Sequence, residues 1–154
     1  EIYTLSLHDA LPILVITTGA VLSPFDSYML LRGLKTLSLR MERSTQNALA
    51  VVEFLKKSAA VKEVLYPGKG GMISFKVVDE SKIPDLLNNL KIFTFAESLG
   101  GVESLITYPA TQTHADIPVE VRHSYGLTDD LLRLSIGIED SRDLVTDLQS
   151  ALEA

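Results

Sequence analysis

Apolar residues recur along this chain with two different periods. From Leu37 to Leu55 the apolar positions Leu37, Met41, Ala48, Val51, Val52 and Leu55 fall at three- and four-residue spacing, which gathers them on one helical face. Glu42, Arg43, Gln46, Asn47, Glu53 and Lys56 fall mostly on the other face, and Thr36 stands where a cap belongs. Upstream, Ser23-Pro24-Phe25-Asp26 predicts a helix start, with a serine cap, proline at the first helical position and an acid in the first turn. That helix is expected to stop near Gly33, with the glycine in the left-handed conformation. Ser81–Leu90 predicts a short helix striped by Ile83, Leu86, Leu87 and Leu90. Asp140 predicts the cap of a last helix, with Leu144, Val145, Leu148, Ala151 and Leu152 inward.

The second period is two. Ile73, Phe75 and Val77 alternate with Ser74 and Lys76 across Met72–Val78, the pattern of a half-buried strand. Val61–Tyr66, Lys91–Ala96 and Leu131–Ile136 also predict strands, with Pro67-Gly68 and Gly100-Gly101 as turns. Tyr108–Pro118 reads as loop and Pro118–Tyr125 as a helical turn or two. Strands interleaved with helices of this length predict an α+β domain, a mostly antiparallel sheet with helices on one face.

Composition narrows the function. The 154 residues suit one domain with a real core, and 46% hydrophobic with 22% charged residues is the balance of a soluble globular chain. A formal net charge of −6 argues against nucleic acid or an anionic membrane as partner, since both need clustered Lys and Arg. The chain has no cysteine, hence no disulfide, thiolate metal site or cysteine nucleophile, as is compatible with a reducing cytoplasmic location. The apolar stretch Ala10–Leu22 is too short to span a bilayer, which needs about 20 apolar residues. No Lys or Arg precedes it, so it does not read as a signal peptide. The run from Thr4 to Ile13 resembles the conceptual translation of a common sequencing adapter. Residues 1–13 are therefore expected to be non-native, and 14–154 to be the natural domain.

Catalytic machinery is sparse. His8 lies in the adapter-like run, and His114 and His123 have no partner at metal-ligand spacing, so no metal site is expected. Gly68-Lys69-Gly70-Gly71 precedes a strand and lacks the Lys-Ser/Thr ending of a phosphate loop, so it reads as a tight turn. In Leu132-Arg133-Leu134-Ser135-Ile136, alternation puts Arg133 and Ser135 together, opposite three aliphatic side chains. Two readings of Arg133 stay open from this pattern. It is either a solvated arginine on an exposed sheet face, or a guanidinium fork that grips a carboxylate by two parallel hydrogen bonds. Ser98 precedes the double glycine, where a ligand could approach the backbone closely.

Longer motifs carry a family resemblance. Gly19-Ala20-Val21-Leu22-Ser23-Pro24-Phe25-Asp26-Ser27-Tyr28 is followed by Leu31-Arg32-Gly33-Leu34-Lys35-Thr36-Leu37 with Arg40-Met41, and then by Gly71-Met72-Ile73-Ser74-Phe75. Ala96-Glu97-Ser98-Leu99-Gly100-Gly101-Val102-Glu103-Ser104-Leu105, Thr113-His114-Ala115 and Leu132-Arg133-Leu134-Ser135-Ile136-Gly137-Ile138-Glu139-Asp140 complete the series. In order and spacing these resemble the C-terminal region of the Cys/Met trans-sulfuration enzymes, and the likeness covers essentially everything after Thr17. The short step from Tyr66-Pro67-Gly68 to Gly70-Gly71-Met72 resembles the family's bacterial cystathionine γ-synthases that also act as O-acetylhomoserine thiolyases, as does Thr107–His114. Many members carry an insertion at that step.

The resemblance implies the small C-terminal domain of a fold-type I pyridoxal-phosphate enzyme, a homotetramer in its intact form. It implies that Arg133 binds the substrate α-carboxylate, that Ser98 lies beside the cofactor lysine, and that Glu97 meets the distal ammonium of a γ-substituted substrate. The substrates implied are an O-acylhomoserine, cysteine and cystathionine. The family's cofactor lysine, stacking tyrosine, pyridinium-binding aspartate and phosphate ligands lie upstream of the matching motifs and have no counterpart here. Lys35 falls in a connector and is no substitute. No catalytic residue, bound cofactor or activity is therefore expected of this chain alone. A γ-lyase or β-lyase of the same family is the alternative parent, and a free-standing amino-acid-binding module the alternative function.

Overall fold

The computed structural model describes residues 7–153, with side chains from Pro12 onward. It divides into two units, residues 1–37 and 38–154. In the first, α1 (Leu7–Thr18) and α2 (Pro24–Leu34) are helices. The cap of α2 is the expected one, the Ser23 hydroxyl accepting from the Asp26 amide at 3.1 Å. Gly33 differs from expectation. It lies inside α2, which runs on to Leu34, and it is not among the glycines with positive φ. The Lys35 amide closes the helix by bonding back to Arg32 and Gly33 carbonyls, so no left-handed residue is needed. The adapter-like run falls partly outside the described residues, and Leu7–Ile13 begin α1.

The second unit holds the core. After α3 (Leu37–Lys57) come β1 (Val61–Leu65), β2 (Met72–Val77), a 3-10 turn (Glu80–Lys82) and α4 (Ile83–Asn89). Then follow β3 (Thr94–Phe95), β4 (Leu105–Thr107), α5 (Val119–Ser124), β5 (Leu131–Ser135) and α6 (Ser141–Leu152). The sheet order is β1-β2-β5-β4-β3, antiparallel except for the β3–β4 pair. Ile73, Phe75 and Val77 of β2, Leu132 and Leu134 of β5 and Ile106 of β4 share one face. They form one cluster with Ala48, Val51, Val52 and Leu55 of α3, Leu86 of α4 and Leu144 and Leu148 of α6. This is the expected α+β architecture with helices on one face. Asp140 caps α6 through the Arg142 amide at 2.9 Å. Among the described residues no helix is long and apolar enough to cross a membrane.

Further departures from expectation follow. The strand expected over Lys91–Ala96 shrinks to Thr94–Phe95, because the Lys91, Ile92 and Phe93 amides all donate to the buried Asp147 carboxylate at 2.9–3.1 Å instead of joining a ladder. The strand β4 was not anticipated from the pattern. Asn47, placed on the polar face of α3, is 1% exposed. Its amide donates to the Gly137 and Glu139 carbonyls at 3.1 and 2.9 Å, which offsets the cost of burying it. By contrast Leu37 and Met41, placed on the apolar face, are 38% and 46% exposed.

Candidate active site

The face of the sheet away from those helices carries the candidate chemistry. Arg133 on β5 is half-buried, with Ser74 of β2 and Thr107 of β4 as its lateral neighbours in the ladder. Ser135, two positions along, is 4% exposed. Strand alternation puts all four side chains on one side, as the sequence pattern requires. Among the described residues the Arg133 guanidinium has no hydrogen-bond or ion-pair partner. Arg122 on α5 is the instructive contrast. It is 6% exposed, and its Nη1 lies 3.0 Å from Asp129 Oδ1 in an ion pair too poorly aligned for a hydrogen bond. Arg122 thus has its counter-charge within the fold, whereas Arg133 presents an unspent fork on a partly desolvated surface, which suits an incoming carboxylate.

Glu97 and Ser98 are exposed, on the loop between β3 and β4. Three bonds tie that loop to the sheet near Arg133. The Ala96 amide donates to the Ile106 carbonyl at 3.1 Å, the Thr107 hydroxyl to the Ala96 carbonyl at 2.9 Å, and the Gly100 amide to Ser135 Oγ at 2.9 Å. Gly100 takes φ +77°, which a side chain would resist. These bonds bring the flanks of the Glu97–Ser98 loop to Thr107 and Ser135, the ladder partner of Arg133 and its same-face neighbour on β5.

A second network, which sequence reasoning missed, holds the far end of the loop. The Glu139 carboxylate accepts from the Ser104 amide and hydroxyl at 2.6 and 2.9 Å, and Ser104 Oγ accepts from the Gly137 amide at 2.9 Å. A Cβ on Gly137 would lie 2.1 Å from the Val102 carbonyl oxygen, so only glycine permits this approach. The signal was present in Ile136-Gly137-Ile138-Glu139-Asp140, but nothing in the spacing says what a glycine meets.

His123 Nε2 is 3.1 Å from Asp129 Oδ2, and His114 Nδ1 is 2.7 Å from the Thr113 hydroxyl. Among the described residues no cluster of His, Cys, Asp or Glu could hold a metal. Lys76, on the Arg133 face of β2, pairs with Glu63 at 3.3 Å and is largely buried.

The sequence model of the Cys/Met metabolism PLP-dependent enzymes matches residues 4–153. A cystathionine γ-synthase from Haemophilus influenzae is 59% identical over 133 residues, covering 86% of this chain and 36% of its own length. A cystathionine β-lyase from Lactococcus lactis subsp. cremoris is 50% identical over 151 positions, covering 88% of this chain and 40% of the lyase. Among solved structures, the cystathionine γ-synthase from Xanthomonas oryzae pv. oryzae in complex with aminoacrylate and cysteine superposes with a TM-score of 0.87. It is 41% identical, and the match covers 96% of this chain and 42% of that one. The chain thus spans well under half the length of the relatives it matches. The alignments also differ in kind. The γ-synthase match uses 133 positions for 86% of 154 residues, about 132, and so runs essentially without insertion. The β-lyase match uses 151 positions for 88%, about 136 residues, so the lyase carries about 15 residues with no counterpart here.

Proposed function

This chain belongs to the Cys/Met metabolism PLP-dependent enzyme family, and from that premise we propose that it is the substrate-orienting C-terminal part of a cystathionine γ-synthase, which replaces the γ-substituent of an O-acylhomoserine by cysteine or sulfide. The observation that carries the reading is the half-buried guanidinium of Arg133, unpaired among the described residues, on the sheet face to which the flanks of the Glu97–Ser98 loop are bonded. Its fork holds the α-carboxylate of the amino-acid substrate by two parallel hydrogen bonds. Glu97 draws the distal ammonium of cystathionine, an attraction that strengthens as the site closes and water leaves. Ser98 supplies a hydroxyl beside the reacting end of the substrate. The bond-making chemistry of the family belongs to pyridoxal phosphate. No step of that chemistry is assigned to residues of this chain.

The near absence of insertions against the γ-synthase favours the synthase over the lyases. The intact enzyme is expected to be a cytoplasmic homotetramer, and this chain alone neither to bind the cofactor nor to turn over substrate. The test is to join the chain to the upstream residues of a γ-synthase relative. Cystathionine should then form from an O-acylhomoserine and cysteine. Cystathionine cleavage without synthesis would move the assignment to the lyases. In the same protein Glu97→Val should lower activity on cystathionine more than on methionine, an uncharged thioether at its distal end. Equal losses would remove Glu97 from the site.

A further inference from the structure

β3 has only two residues and stands at the sheet edge, so the ladder gives little support to the loop that follows. Yet that loop carries both side chains expected to meet substrate. Its flanks are held by two hydroxyls that share the face of Arg133. Thr107 is the Cα partner of Arg133 across the ladder, is 2% exposed, and donates to the carbonyl of Ala96, immediately before Glu97. Ser135 is two residues along β5, is 4% exposed, and accepts from the amide of Gly100, two residues after Ser98. A buried hydroxyl costs free energy unless it is bonded. Valine and alanine would serve the sheet at these two positions, but neither could reach the loop.

We propose that Thr107 and Ser135 are positioning residues that form a hydroxyl clamp, fixing the Glu97–Ser98 segment against Arg133 so that both halves of the candidate site move as one unit. The proposal rests on the functional reading above for its consequence, but the clamp is measurable without any activity. Backbone amide exchange of the full chain is compared among the parent, Thr107→Val, Ser135→Ala and Thr107→Ser. Losing one such bond should speed exchange of the Glu97–Gly101 amides by about 2- to 10-fold. The β2 and α6 amides should be unchanged, the Arg133 Nε–H resonance should shift in both disabled variants, and Thr107→Ser should restore the parent pattern. Unchanged loop amides would overturn the clamp. So would equal acceleration throughout β2 and α6, which would mean a general structural role. If the clamp holds while Arg133 proves dispensable for substrate, the functional reading fails and the clamp stands.

Discussion

The two faces of β5 are built to different ends. On one, Leu132 and Leu134 are fully buried among aliphatic and aromatic side chains from α3, α6 and β2. On the other, Arg133 is half-buried without a partner among the described residues, and Ser135 is spent on a loop amide rather than on packing. Adjacent residues on one strand thus answer to different demands. The apolar face carries the free energy of folding, and the polar face arranges groups that the fold itself leaves unused.

The largest expected effect comes from the apolar face. Leu134→Ala, at a fully buried position, should cost about 2–5 kcal/mol in urea unfolding, as truncations that leave a cavity do. On the polar face Arg133→Met should change stability by no more than about 0.5 kcal/mol, since no hydrogen bond or ion pair with the described residues is lost. A cost for Arg133→Met approaching that of Leu134→Ala would erase the contrast between the faces.

Acid should reach the apolar face through α6. The Arg142 side chain and amide bound to Asp140 hold its carboxyl down at about 2. A carboxyl depressed in the folded state stabilises above its unfolded value, near 3.8, and that contribution is lost as pH falls from there toward 2. Acid unfolding of Asp140→Asn should therefore be less steep between pH 4 and 2 than that of the parent. An identical slope would place the acid sensitivity elsewhere, as in Asp79 or Glu53, whose carboxyls are also lowered by hydrogen bonds, to Ser81 and Lys57 respectively. The smallest effect is expected from deleting residues 1–13. If they are foreign, the cost should be about 0.5 kcal/mol or less. The family match beginning at residue 4 counts the other way, and a strong fall in melting temperature on deletion would decide for it.

Pattern made the apolar face legible and left much of the polar face hidden. Alternation identified Ile73, Phe75 and Val77, and spacing identified Leu144 and Leu148, because burial selects residue types at fixed periods. Arg133 and Ser135 could be placed on a common side, but not the loop bonded to Ser135, since the Gly100–Ser135 bond joins residues 35 apart. β4 is three residues long, too short to show a period. Asn47 reads as a surface residue, and the pattern gives no sign that Asp147 is buried, because the burial of both depends on distant backbone groups, the Gly137 and Glu139 carbonyls and the amides of Lys91–Phe93. Polar groups of this kind are specified by geometry rather than by period.

The account turns on Arg133, and Arg133→Lys tests it most directly, because lysine keeps the charge and loses the fork. In the chain joined to the upstream residues of a γ-synthase relative, kcat/KM for the amino-acid substrate should fall by on the order of 2–4 kcal/mol of transition-state stabilisation, with stability unchanged. A variant with near-parental kcat/KM would contradict the account, leaving Arg133 a solvated arginine on an open face.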